Sequence, residues 1–124
     1  MKELSIQVMG DQEHEISELM QSLGLSKIVS RIIACLSSTM EMTSRELEAA
    51  ASVRQPEVSA AMRVMRMNGW ISEREEKKKI GKGRPVKVYK LNVTLRKIVE
   101  LLEKESVAAN EERVIDIQRL RELA

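Results

Sequence analysis

The segment Lys77 to Lys90, KKKIGKGRPVKVYK, constrains this chain more than any other. Gly81 and Gly83 open a loop in which the backbone turns freely, and Pro85 stiffens the residues after it. The stretches on either side, roughly Trp70 to Lys77 and Pro85 to Leu91, have strand character. A long β-hairpin is therefore predicted here, with Gly81-Lys82-Gly83-Arg84-Pro85 at its tip. The same segment holds seven basic residues and no acidic one, although the whole protein carries a net charge of only +2. Residues 1–24 hold one base and five acids, 25–53 three of each, 54–76 four of each, and 91–124 six bases and seven acids. A concentrated positive field on an otherwise neutral or acidic chain suits a polyanion, and nucleic acid is the commonest. A charge run alone is more often a solvated loop; its neighbours in sequence alter that balance.

Those neighbours read as helices with identifiable ends. Leu4, Ile6 and Val8 alternate with polar residues, as in a short arm or edge strand. Asp11 is expected to cap a helix running to about Ser22, closed by Gly24. Ser26 caps a second, Lys27 to about Ser37. Its wide apolar set of Ile28, Val29, Ile32, Ile33 and Leu36 places it centrally in the core. Met40 to Met42 suits a very short strand. The capping box of Thr43 and Glu46 starts a short helix, 43–50. After a tight connection at Ser52-Val53 comes a helix over 55–67, with Pro56 in its first turn and Asn68-Gly69 at its end. Beyond the hairpin, Thr94 caps a helical region toward the C-terminus, expected to weaken near Ser106 to Asn110, where the apolar stripe loses register.

At 124 residues the chain suits one domain with an appended helix. Aromatic residues are limited to Trp70 and Tyr89, which argues against a stacking platform for single strands. One cysteine, Cys35, excludes an internal disulfide and fits a reducing compartment. No signal peptide or membrane span is evident, so a cytoplasmic protein is expected.

The element order is that of a winged helix-turn-helix, a mainly α fold with a small β-hairpin (α+β). Residues 1–10 form an N-terminal arm, 11–92 the winged helix-turn-helix, and 93–124 a C-terminal helical extension. Helix 55–67 is the candidate recognition helix. Val58, Ala61, Met62 and Met65 project toward the core, whereas Gln55, Ser59, Arg63 and Arg66 share another side. Gln can pair twice with adenine and Arg twice with guanine, so this face suits base reading in a major groove. Taken alone it is also an ordinary polar helix face. Val64 and Met67 lie on a third side, expected to meet the C-terminal helix or a partner chain. Ser52 and Arg54 stand at the helix entrance, where phosphate contacts are usual. On the hairpin, Lys77, Lys78, Lys79, Lys82, Arg84 and Lys87 are candidate backbone contacts, and Arg84 suits a minor groove. Its Gly-Arg-Pro resembles the core of AT-hooks. Val86, Val88 and Leu91 are expected to face the core, with Lys87 and Lys90 outward.

The stretches LGLSKIVSRIIACLSS, TSRELEAAASVRQPEVSAAMRVMRMNGWISERE and GKGRPVKVYKL together resemble archaeal winged-helix transcriptional regulators of the TrmB-like and MarR/ArsR-like groups. The resemblance covers about residues 22–91 and implies sequence-dependent binding of double-stranded DNA, commonly as a homodimer. It implies Gln55, Ser59 and Arg63 as recognition positions and Arg84 as the wing arginine. Two departures matter: the chain after residue 91 is too short for an effector domain, and one Cys with one His cannot make a metal-sensing site alone. The apolar residues Leu95, Ile98, Val99 and Leu102, then Val114, Ile117 and Leu120, exceed what a small domain needs and are expected to form a dimerisation surface.

Other residues are read conservatively. Cys35 lies within IIACL and reads as a packed small hydrophobe. His14 is isolated, most methionines sit at core spacings, and Tyr89 reads as structural. No catalytic triad, phosphate loop or metal box is present, so neither an enzyme, a cofactor nor a small-molecule ligand is expected. The competing readings are a winged-helix protein-interaction module of the transcription apparatus and a non-specific architectural DNA binder.

Overall fold

The computed structural model describes residues 9–77 and 85–124. The order among them is α1 (Asp11–Ser22), α2 (Lys27–Ser37), β1 (Met42–Thr43), α3 (Ser44–Ala51), α4 (Gln55–Met67), β2 (Ile71–Glu76), β3 (Val86–Leu91) and α5 (Leu95–Leu123). This is an α+β fold that combines helices with a small antiparallel sheet of order β1-β3-β2. Of the expected arm, residues 1–10, the first eight lie outside the described residues; Met9 is buried and Gly10 caps α1.

Local chemistry sets most boundaries. The α1 cap is Gly10 rather than Asp11, which is the first helical residue. The Gly10 N–H donates to Glu13 Oε1 at 2.9 Å, the reciprocal half of a capping box, while Gly10 has no side chain to accept from the first-turn N–H groups as an aspartate cap would. Gly24 follows the last turn at φ +102°, a conformation that favours glycine. The Ser26 hydroxyl accepts the Val29 N–H at 3.2 Å and starts α2. At α3 both halves of the capping box form: Glu46 N–H donates to Thr43 Oγ1 at 3.1 Å, and Thr43 N–H donates to Glu46 Oε1 at 2.8 Å. Thr43 is thus the cap, outside the helix.

The core centres on α2, which touches α1, α3, α4 and β3. Ile32 and Ile33 are wholly buried, Val29 and Leu36 nearly so, and Leu47, Val58, Met62 and Met65 complete the packing. Burial of each such side chain is worth ~1.5–3 kcal/mol, so this interdigitation is what fixes the helix-turn-helix. Ser30 is the exception, fully buried with a hydroxyl that finds no hydrogen-bond partner among the described residues.

In the sheet, β3 is central. Tyr89 faces Met42 on one side and Glu73 on the other, while Val88 faces Thr43 and Arg74. Strand alternation therefore groups Val86, Val88 and Lys90 on one face, and Lys87, Tyr89 and Leu91 on the opposite one. The expected partition, valines with Leu91 against both lysines, does not hold: Val88 and Tyr89 are both buried, from opposite faces, because β3 is covered on each side. The outer strands are tied at the rim, where Arg74 donates to both oxygens of Glu41 at 2.7 and 2.9 Å and to Glu76 at 2.5 Å. These hydrogen bonds hold the Glu41 carboxyl below its usual range.

The chain divides into two compact units, Met1–Thr94 and Leu95–Ala124. The second is α5, one helix through Leu95–Leu123 without the weakening expected near Ser106 to Asn110. Ala108, Ala109 and the acids that follow are good helix formers, and a shift of the apolar stripe alters which face is greasy, not whether the helix forms.

Candidate nucleic-acid interface

The turn between α3 and α4 is built from very few residues. Ser52 closes α3 in the left-handed conformation, φ 56° and ψ 51°, which is unusual for a residue with a side chain. The Val53 N–H bonds back to the Glu48 carbonyl at 3.0 Å, and the Val53 side chain is buried. Arg54 caps α4 with its backbone, its N–H donating to Glu57 Oε1 at 2.8 Å. Its side chain makes no capping bond and is exposed. Pro56 then occupies the first turn, where its missing N–H removes no helical bond.

This turn sets the rotation of α4. Val58, Ala61, Met62 and Met65 are buried, and Gln55, Ser59, Arg63 and Arg66 are all exposed. Gln55 Nε2 donates to Ser59 Oγ at 2.8 Å, a pair one helical turn apart that aligns both polar groups along the exposed side. Arg63 has no ion pair among the described residues. Arg66 differs: its Nη1 donates to Glu73 Oε1 on β2 at 2.6 Å. Val64 and Met67, expected to meet the C-terminal helix or a partner chain, are exposed in the single chain.

An open cleft brings the two halves of the candidate surface together. Gln55 and Ser59 from α4 line it with Arg45 and Glu48 from α3, and with Lys87 and Tyr89 from β3. The polar face of α4 thus adjoins the root of the basic hairpin. Lys77 and Lys87 are exposed there; Lys78, Lys79, Lys82 and Arg84 lie outside the described residues. Tyr89 anchors the root, its phenol pushed up from its ordinary pKa by burial and by the Glu73 charge.

Two features were not legible beforehand. Arg45, inside the T-S-R-E capping box, lines the same cleft, which only the approach of α3 to β3 reveals. Glu73 accepts from Arg66 and also lies near Lys87, its Oε2 3.9 Å from Nζ, so one carboxylate faces two of the residues expected to contact DNA. No sequence spacing links those three positions. Away from this surface, Cys35 is buried and its thiol is pushed up to about 11, chiefly by burial, as fits a packing residue. No group of three or more His, Cys, Asp or Glu side chains among the described residues could hold a metal ion. No described helix is long and apolar enough to cross a membrane.

A three-helix core with a tight turn, an exposed second helix and a β-hairpin beside it defines a winged helix-turn-helix. Solved structures share this fold. One is TrmBL2, an archaeal chromatin protein whose structure shows a novel mode of DNA binding; it is 18% identical with a TM-score of 0.62, and the match covers 89% of this chain but 39% of that one. This chain thus spans well under half the length of TrmBL2. A possible transcriptional regulator from Methanosarcina mazei Go1 is 15% identical, TM-score 0.55, over 84% of this chain and 83% of that chain. A MarR-family transcriptional regulator from Silicibacter pomeroyi is 22% identical, TM-score 0.51, over 93% and 81%. At these identities the likeness defines the fold. No protein-family model and no curated protein matches the sequence.

Proposed function

We propose that this protein binds double-stranded DNA in a sequence-dependent manner as a homodimeric transcription regulator. Helix α4 enters the major groove through Gln55, Ser59 and Arg63, with Arg66 at the end of the same face. The basic segment 77–90 lies on the adjacent backbone or minor groove, and Ser52 and Arg54 meet phosphates at the helix entrance. One observation carries this reading: the exposed polar face of α4 and the root of the basic hairpin line one cleft. A helix beside a hairpin whose joining segment is cationic in sequence matches a major groove and its flanking phosphates.

Selection of binding sites from random duplex DNA at fixed salt tests the reading. An enriched motif supports it. Salt-dependent binding with no enrichment supports an architectural binder instead, a second reading favoured by the chromatin role stated for TrmBL2. Absence of duplex binding overturns both and leaves a protein-interaction module.

A further inference from the structure

Glu73 occupies an unexpected place on this surface. Its side chain is 28% exposed, whereas those of its partners Arg66 and Lys87 are 46% and 50% exposed. The carboxylate is the more enclosed member of the group, fixed on β2 in register with buried Tyr89. Each oxygen is directed at a different cation, one from the last turn of α4 and one from the root of the hairpin. Arg63, one turn earlier on α4, has no such partner among the described residues.

Resting on the DNA-binding reading above, we propose that Glu73 is a specificity-setting residue, an internal counter-anion that keeps Arg66 and Lys87 from binding DNA phosphates indiscriminately. A carboxylate and a phosphate offer guanidinium the same kind of anionic acceptor. For a phosphate to take Arg66, Glu73 must be left without its closest cation beside buried Tyr89. Binding to random DNA rests almost wholly on phosphate contacts and recruits whatever cations are free. Binding to the right site is seated by base contacts through Gln55, Ser59 and Arg63, and leaves Arg66 on Glu73. The penalty therefore falls mainly on the wrong DNA, which is how discrimination arises from a repulsive element as well as an attractive one. Glu75 lies on the same strand face, opposite Lys87, and lacks a comparable contact to α4; Glu76 belongs to the other face and is held by Arg74.

The test compares the full chain with Glu73→Gln, Glu76→Gln, Arg66→Gln and the Glu73→Gln/Arg66→Gln double variant. Binding of a random-sequence duplex and of a selected duplex is measured across a salt series. Glu76→Gln controls for the change in net charge. Glu73→Gln is expected to tighten random-duplex binding several-fold more than Glu76→Gln does. It should steepen the log–log salt slope by about one unit, for one newly neutralised phosphate. The effect should vanish in the Arg66→Gln background. Matching slopes for Glu73→Gln and Glu76→Gln, or survival of the effect without Arg66, would overturn the inference while the DNA reading stands. A large selected-site loss in Arg66→Gln would do the same by showing that Arg66 reads a base; this readout holds even where Glu73→Gln does not fold. If the unmodified chain binds no duplex at any salt, the DNA reading fails and this inference fails with it.

Discussion

Single residues on this molecule divide by what surrounds them. Arg63 is an exposed arginine with no ion pair among the described residues, on the face of α4 that lines the cleft through Gln55 and Ser59. Its guanidinium can offer two hydrogen bonds to guanine without first breaking an internal pair. Arg63→Ala is expected to cost ~1–3 kcal/mol on the best site and to relax sequence preference. Equal loss on selected and random duplexes would show that it touches phosphate only. Ser30 is the opposite case, a wholly enclosed hydroxyl of α2 with no hydrogen-bond partner among the described residues. Burying an unsatisfied polar atom costs ~1–3 kcal/mol, and alanine is also the better helix former. Ser30→Ala should raise the unfolding free energy by about 1 kcal/mol, seen as a higher urea midpoint at unchanged slope. A lower midpoint would mean that the hydroxyl's volume matters more than its polarity. The exposed side of Arg63 follows from helical spacing, but its lack of an ion pair among the described residues and the burial of Ser30 do not. Ser30 sits where a helix stripe passes from polar to apolar, and only the packing of α1 and α2 decides which side it falls on.

At the scale of elements, the sequence was most legible where both partners of an interaction are close along the chain. The Ser26 cap, the Thr43/Glu46 box and the Asn68-Gly69 stop each involve groups within four residues, and helix 55–67 ends where its signals put it. Legibility failed where partners are distant. Glu73 with Arg66, and Glu41 with Arg74, join different elements, and no local pattern reports them. It failed also for β3, where Val88 and Tyr89 are both buried although successive residues point to opposite faces, which the apolar pattern of one strand does not report. The hairpin has its own test. Lys79, Lys82 and Arg84 fall in sequence between β2 and β3, outside the described residues. Replacing all three by Ala should preserve the melting temperature and weaken every duplex. The salt slope should flatten by about one to three units per hairpin, at ~0.9 per phosphate. A folded triple variant with unchanged affinity and slope would remove the hairpin from the interface and favour a protein partner for the cleft.

At the scale of the whole molecule, the proposed pairing of two chains turns on α5. Ile98 and Leu102 are buried, whereas Val107, Val114, Ile115, Ile117, Leu120 and Leu123 are between 50% and 66% exposed. Scattered surface leucines need no explanation, but this row recurs on one helix over several turns. Val114, Ile117 and Leu120 follow at three-residue steps, a spacing that keeps them on one broad side of α5. A second α5, antiparallel or parallel across a two-fold axis, would cover that side with an identical stripe, as an isologous interface requires. Two-fold pairing also supplies what a single α4 lacks. One short helix reads only a few base pairs, whereas two related by symmetry read half-sites about 34–36 Å apart. A palindromic motif from site selection and a dimer mass in sedimentation at micromolar protein are therefore expected together. Replacing Val114, Ile117 and Leu120 by polar residues such as Gln should yield a monomer that keeps its far-ultraviolet helix signal, because the core of the first unit is untouched. That monomer should bind a half-site weakly and lose the advantage of the full palindrome. A concentration-independent monomer mass for the unmodified chain would refute the pairing, and a dimer unaffected by the triple replacement would place the interface elsewhere, with exposed Val64 and Met67 on α4 the next surface to examine.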